Sequence, residues 1–305
     1  MKNILIFLAL IFSFAAAANA DDGRSPNRLG NQIYVTFDKP RNVDLKEGVR
    51  YSPNCPDPDV KLDLYYPNAK AGFKKPVPCI LLIHGGGWAM ANEKKFAMMA
   101  AEYASRGYVV ASITYRLVPK YSMEDCASDV WMSLKWLKEH AAEFGGNPEL
   151  VGAMGGSAGG HLTALLATAH NSRICKKIFS DGTSPKIQAA VPMAPPTDIS
   201  KRKSRFSQTK DWEVLGKELS PINWVSKESA PMRILHAQSD PVVPLRESTN
   251  IKAVYDKAGA KCEIIAYPSK EHAFWNASHK GQYRFRSWED GIAFFDQVLK
   301  NGAIN

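Results

Sequence analysis

Gly155-Gly156-Ser157-Ala158-Gly159-Gly160 stands between two segments of different character. On its N-terminal side, Leu150 to Met154 is short and apolar, the pattern of a strand buried on both faces of a parallel sheet. On its C-terminal side, Ala158 to Ala169 reads as a helix. Glycines flanking a serine at such a junction let strand and helix approach without side-chain clash, so the serine sits on a tight turn. G-x-S-x-G directly after a strand and before a helix is the context of a nucleophile elbow. The helix that follows aims its N-terminus at Ser157 and favours negative charge there.

The alternation continues outward in both directions. Asp59 to Pro67 has Val60, Leu62, Leu64 and Tyr66 in alternation with Lys61, Asp63 and Tyr65, which predicts an antiparallel or edge strand. Val77–Ile83 is continuously apolar, and similar runs recur at Tyr108–Ile113, Ile187–Met193, Met232–Ala237 and Cys262–Tyr267. Between them lie helical patterns at Lys94–Ser105, Asp125–His140, Arg246–Ala258 and Trp288–Lys300, with Gly107, Gly259 and Gly302 as stops. The expectation is an α/β fold with a mostly parallel central sheet and helices on both faces. Residues 195–230 break the rhythm with Pro195-Pro196, the basic run Lys201-Arg202-Lys203 with Arg205, and Trp212 and Trp224. They read as an insertion over the face that carries Ser157. There is no internal repeat, low-complexity segment or linker, so residues 59–305 form one catalytic domain and 21–58 an irregular N-terminal segment.

The chain has 305 residues, 45% of them hydrophobic and 23% charged, enough for one large core. Lys2, the apolar run Ile4–Phe14 and Ala18-Asn19-Ala20 have the pattern of a cleavable leader cut after Ala20. The mature chain is then secreted or periplasmic. No later stretch is apolar enough to span a bilayer. Cys55, Cys79, Cys126, Cys175 and Cys262 are an odd set, so at least one thiol is free in an oxidising compartment. Cys79 lies inside an apolar strand and reads as a small buried hydrophobe. There is no CxxC pair, HExxH motif or dense carboxylate cluster, so no metal is expected, and no dinucleotide motif follows a strand. The formal net charge of +9 gives no reason to invoke nucleic acid in an exported chain. Disulfide pairing and oligomeric state are not encoded in the pattern.

Three further segments complete the chemistry. His84-Gly85-Gly86-Gly87-Trp88 ends the first buried strand, and a glycine-rich loop there can aim backbone N–H groups at an oxyanion. Gly86 and Gly87, with Ala158, are the candidate donors, and His84 reads as a structural residue of the loop. Asp240, in Ser239-Asp240-Pro241, follows a strand where a triad acid belongs, although an aspartate before proline also suits a turn. Asp198 is the fallback acid. His272, in Glu271-His272-Ala273-Phe274, follows the last strand as candidate general base. The chain order Ser157, Asp240, His272 is that of α/β-hydrolases. Among the other histidines, His161 and His236 read as local packing or hydrogen-bonding residues, and His140, His170 and His279 as surface positions. Asn276-Ala277-Ser278 is a glycosylation sequon.

HGGGW, GGSAGGHL and the segments around Asp240 and His272 resemble the hormone-sensitive-lipase-like esterases. They are most similar to the secreted branch with acetyl-xylan and feruloyl esterases of the BD-FAE type, over about residues 59 to 300. DVKLDLYYP and SPINWV (Ser220–Val225) add to the likeness. The resemblance implies the α/β-hydrolase fold, a Ser157–Asp240–His272 triad, Gly86, Gly87 and Ala158 as oxyanion donors, and no cofactor. The segment 21–58 is shorter than the helical cap of many such enzymes. The expected reaction is hydrolysis of a carboxylic ester through an acyl-enzyme. The expected substrate is an acetyl, feruloyl or other short or aromatic ester, on a plant polysaccharide. Trp88, Trp212 and Trp275 could offer flat faces to sugar or feruloyl rings, and the basic run could attract uronic acids. The rival readings are a general short-chain carboxylesterase or lipase, a peptidase or amidase on the same triad, and a binding protein that has lost activity.

Overall fold

The computed structural model describes residues 27–29, 32–34, 37–206, 211–276 and 283–301. The leader expected at 1–20, the sequon residues Ala277 and Ser278, His279 and Gly302 lie outside them. Among the described residues, β1 (Asn27–Leu29) and β2 (Gln32–Tyr34) pair as a small antiparallel hairpin. The main sheet contains β3 (Val43–Val49), β4 (Leu62–Pro67), β5 (Val77–Ile83), β6 (Val109–Ile113), β7 (Gly146–Gly156), β8 (Ala189–Met193), β9 (Met232–Ala237) and β10 (Cys262–Tyr267). Its order is β10-β9-β8-β7-β5-β6-β4-β3, parallel from β10 to β6 and antiparallel at β4 and β3. The helices are α1 (Ala97–Ser105), α2 (Met123–His140), α3 (Ala158–Thr168), α4 (Arg173–Ile178), α5 (Trp212–Glu218), α6 (Arg246–Ala258) and α7 (Tyr283–Phe295). This is the α/β-hydrolase fold. No helix among the described residues is long and apolar enough to cross a membrane.

The apolar run at β5 is continuous because both of its faces are covered. Cys79, Leu81 and Ile83 join the core beneath α2, α3 and α6, with Val130, Leu134, Leu162, Leu165, Ile251 and Tyr255. Ile80 and Leu82 join the opposite core with Met99, Trp288, Ile292 and Phe295 of α1 and α7. Cys79 is fully buried, and all five cysteines are unpaired thiols. α2 starts two residues earlier than expected, because Ser122 and Asp125 form a reciprocal capping box.

One expectation at the N-terminal end is corrected. The segment 21–58 is not wholly irregular: Val43–Val49 pairs antiparallel with β4. β4 is antiparallel to both β3 and β6, as expected, and lies inside the sheet rather than at its edge, so its polar positions do not face solvent. Asp63 is buried, accepts the Gly48 N–H at 2.9 Å, and pairs with the Lys94 ammonium at 2.7 Å. A carboxylate can be buried on that face because those two donors cover it.

β5 and β7 are neighbours in register, Ile83 opposite Gly155. Their C-terminal loops, HGGGW and the serine turn, therefore lie side by side. The crossing is tight: a β-carbon on Gly159 would fall 2.0 Å from the Ile83 carbonyl oxygen and 2.6 Å from that of His84. Gly159→Ala is expected to cost about 2–3 kcal/mol, the upper range for a methyl forced against backbone. Gly182→Ala, at φ +88 with nothing within 4 Å, should cost only about 1 kcal/mol from backbone strain. Urea unfolding midpoints of the two variants test this, and equal losses would show that the crossing has room.

Candidate active site

Ser157 joins β7 to α3 at φ 55 and ψ −117, a strained conformation for a residue with a β-carbon. The surroundings hold it there. Its N–H donates to the Met193 carbonyl at the end of β8 at 2.8 Å, and its own carbonyl accepts the His161 N–H at 2.9 Å. Strain of this kind persists where neighbouring structure over-determines the backbone.

The turn lifts the Ser157 hydroxyl to His272, 2.8 Å from Oγ to Nε2. His272 Nδ1 lies 2.7 Å from Asp240 Oδ2. A carboxylate only accepts, so Nδ1 carries the proton and Nε2 presents a lone pair to the serine hydroxyl. Asp240 follows β9 and its side chain is fully buried. Burial alone would raise its pKa, but the His272 hydrogen bond and the N–H groups of Val243 and Val242 outweigh it and hold the carboxyl below its usual range. Those N–H groups reach Oδ1 at 2.9 and 2.8 Å. Asp240 is thus both the turn aspartate and the triad acid, one oxygen for each task. Asp198 instead pairs with Lys201 at 2.8 Å and accepts from the Ser200 hydroxyl.

The glycine loop after β5 lies against the serine. A β-carbon on Gly85 would stand 3.4 Å from Ser157 Cβ and 2.5 Å from the Gly156 carbonyl oxygen. Gly86 and Gly87 follow with φ 124 and 60. Ala158 opens α3, so its N–H has no acceptor within the helix. His84 is structural. Its Nδ1–H donates to the Gly85 carbonyl at 2.8 Å, its ring stacks on Tyr115 at 4.3 Å, and burial pulls its pKa to about 4.

The three tryptophans expected to face substrate are all buried, 3% exposed each. Trp88 donates from its indole to His161, Trp212 to the Ser200 carbonyl, and Trp275 packs on Gly156 and edge-on to His272. Trp88 and Trp275 are held inward by neighbours distant in sequence and Trp212 by Ser200 and Phe206 of its own segment, so none offers a flat face to a sugar. In the basic run, Lys201 pairs with Asp198, and Arg202 lies 3.7 Å from Glu247. The side chains of Lys203 and Arg205 lie outside the described residues. His170, expected at the surface, is buried beside Glu228.

Two histidines contribute more than their sequence context suggested. His236 is buried 3.7 Å from Asp240 Oδ2, accepts the Ser248 hydroxyl at Nδ1, and donates from Nε2 to the Val243 carbonyl at 2.8 Å. It braces the acid loop, and burial lowers its pKa, which keeps it neutral. His161 is also fully buried, with a pKa lowered by burial to about 4. Its position four residues after Ser157, on the face of a helix start, is the one sequence signal that pointed to it.

Fold and site together define an α/β-hydrolase with a Ser–His–Asp triad in the order Ser157, Asp240, His272. The BD-FAE family matches residues 62–255, and the chain belongs to that family. Esterase LipQ of Mycobacterium tuberculosis is 29% identical over 223 residues, covering 68% of this chain and 52% of that protein. The isoprenylcysteine alpha-carbonyl methylesterase ICME of Arabidopsis thaliana is 24% identical over 233 residues, covering 70% and 54%. The chain spans about half the length of these curated relatives. Among solved structures, esterase 2 of Thermogutta terrifontis with butyrate bound superposes with a TM-score of 0.70 at 25% identity, covering 86% of this chain and 95% of that one. The form phosphonylated by sarin matches equally, with a TM-score of 0.70 at 25% identity and coverage of 86% and 96%.

Two outcomes follow from the geometry. Asp240→Asn should lower kcat by on the order of 10³–10⁴-fold with little change in KM, because the amide no longer selects the Nδ1–H tautomer. A nearly silent Asp240→Asn would place the acid elsewhere. The second outcome concerns stability. His84 and His161 titrate from 6.5 when unfolded to about 4 when folded, so the unfolded chain binds more protons between those values. Stability is therefore full above pH 6.5 and falls toward pH 4, by about 1.4 kcal/mol per pH unit for each histidine. Urea midpoints measured across this window should fall with pH, and a flat profile would overturn the assignment.

Proposed function

We propose that this protein is a serine carboxylic-ester hydrolase. The observation that carries the reading is the continuous hydrogen-bonded chain from Ser157 through His272 to Asp240, beside a glycine loop and a helix N-terminus. Ser157 Oγ attacks the ester carbonyl as its proton passes to His272 Nε2. The N–H groups of Gly86, Gly87 and Ala158 take the negative charge of the tetrahedral intermediate. His272 then protonates the departing alcohol, and water repeats the sequence in reverse roles to release the acid.

The substrate in this reading is an ester of a short or aromatic acid, and the natural target an acetyl or feruloyl group on a plant polysaccharide. Family membership supports this, as does the rim of the site. Met90 is 48% exposed, with Cγ 2.9 Å from where a Gly86 β-carbon would stand, and Val242, 58% exposed, rides on the acid loop. In this reading they offer apolar contact to a short chain or a single ring. The pattern Lys2, Ile4–Phe14 and Ala18-Asn19-Ala20 supports export of the chain to where such polymers are met. A second reading, a general short-chain carboxylesterase, is favoured by the butyrate and propionate found in the Thermogutta esterase structures.

Acetyl and butyryl nitrophenyl esters should turn over much faster than the palmitoyl ester, and an aminoacyl anilide hardly at all. Ser157→Ala should remove turnover by on the order of 10⁴-fold or more while the fold survives. Release of acetate or ferulate from decorated xylan supports the polysaccharide target. Activity on free short esters with no release from any polysaccharide selects the general esterase. Preference for long-chain triglycerides would overturn both.

A further inference from the structure

Trp88 closes the glycine loop in a left-handed conformation, φ 61, that a bulky side chain rarely adopts. Its indole is the anchor. Nε1–H donates to His161 Nδ1 at 3.2 Å, and the ring meets His161 edge-on at 5.4 Å and Phe206 at 5.5 Å. Phe206 stacks on Trp212 at 4.4 Å, and Trp212 donates to the Ser200 carbonyl. An indole N–H can only donate, so His161 Nδ1 is a lone pair and the ring proton sits on Nε2. Nε2–H donates to the Leu219 carbonyl at 2.7 Å. Both ring nitrogens are therefore engaged, and His161 exchanges no proton with the substrate. Its backbone N–H meanwhile bonds to the Ser157 carbonyl.

We infer that His161 is a positioning residue that fixes the oxyanion loop through Trp88, and that Phe206, Trp212 and Leu219 of the insertion brace that loop around it. The inference rests on the ester-hydrolase reading. The bent loop, the nucleophile helix and the insertion meet at this one imidazole, so the aim of the Gly86 and Gly87 N–H groups depends on a hydrogen bond outside the triad.

The test compares His161→Leu, His161→Gln, Trp88→Phe and the double variant His161→Leu/Trp88→Phe, each checked for a cooperative melt. The readouts are kcat, KM and the affinity of a phenylboronic acid, which forms a tetrahedral adduct on the serine. His161→Leu should lower kcat by about 10- to 100-fold with KM little changed, and weaken the boronate in proportion, the pattern of a lost transition-state interaction. His161→Gln should restore most of kcat, because its carbonyl can accept from Trp88 and its amide donate to Leu219. The double variant should lose no more than the larger single loss, since both changes break one hydrogen bond. If His161→Leu does not fold, Trp88→Phe carries the test, because it keeps an aromatic ring in the buried position while removing the N–H donor along with part of the indole. Full kcat in folded His161→Leu or Trp88→Phe, or additive losses in the double variant, would overturn the inference. Failure of the wild-type protein to hydrolyse esters or to label with a fluorophosphonate would instead overturn the underlying reading.

Discussion

The carbonyl oxygen of Ile83 leaves no room for a β-carbon on either Gly155 or Gly159, where it would stand 2.6 and 2.0 Å away. That exclusion lets the end of β5, the end of β7 and the start of α3 occupy nearly the same space. With strand and helix so close, the chain must turn between them in a single residue, and the turn drives Ser157 to a positive φ. The same approach lays the glycine loop beside the serine. Ser157 and the candidate oxyanion donors are thus brought together by one backbone contact rather than by side-chain packing. Loops tolerate variation, and a contact between backbones at the middle of a sheet does not, which makes this the natural place for the reacting group.

Charge at the site is rationed by burial. Asp240 is the one buried group there that gains from staying ionised, and three donors hold it so: His272 and the N–H groups of Val242 and Val243. His84, His161 and His236 surround the machinery, and burial lowers the pKa of each. Being neutral, each can accept as well as donate, and each directs its ring to a backbone carbonyl or a neighbouring side chain. His272 is the one of the four with a partly exposed side chain, 17%, so it alone can exchange its proton with the reacting atoms. The division between structural and catalytic histidines is set by access to the site more than by residue type.

Much of this was legible in the sequence, and the pattern of success is informative. The bounds of β5, β9 and β10, the helix α6 and the three triad residues all follow from local periodicity and chain order. Those signals are short-range, and the strands in question are buried on both faces, where the apolar pattern is strongest. Val43–Val49 escaped because its sequence, VDLKEGV, is polar and includes Gly48 at a bulge. Only its pairing with β4 makes it a strand. The tryptophans were misplaced for a related reason. An indole at position 88 can face solvent or core, and what decides is Phe206 and His161, 118 and 73 residues away. Composition near a site indicates which side chains are present, while their direction is a tertiary property.

The buried tryptophans change what kind of selectivity the site can have. With their indoles fixed in the core, no rigid aromatic platform is left to those three residues. Among the described residues, Met90 and Val242, on the loops after β5 and β9, are exposed apolar side chains. Methionine is flexible and polarizable and adapts to ligands of different shape. In the proposed reading, such side chains would distinguish acyl groups by fit rather than by hydrogen bonding, and one methylene in an apolar pocket is worth only about 1–3 kcal/mol. Discrimination among short acids should therefore be shallow. In the proposed ester-hydrolase reading, a sharp preference would then come from the alcohol side, where a polymer could engage polar groups that a small ester does not reach. The insertion that carries Leu219 lies beside that machinery. Through Leu219 and His161 it touches Trp88 of the glycine loop, so in the proposed reading whatever it binds can be felt at the reacting carbonyl.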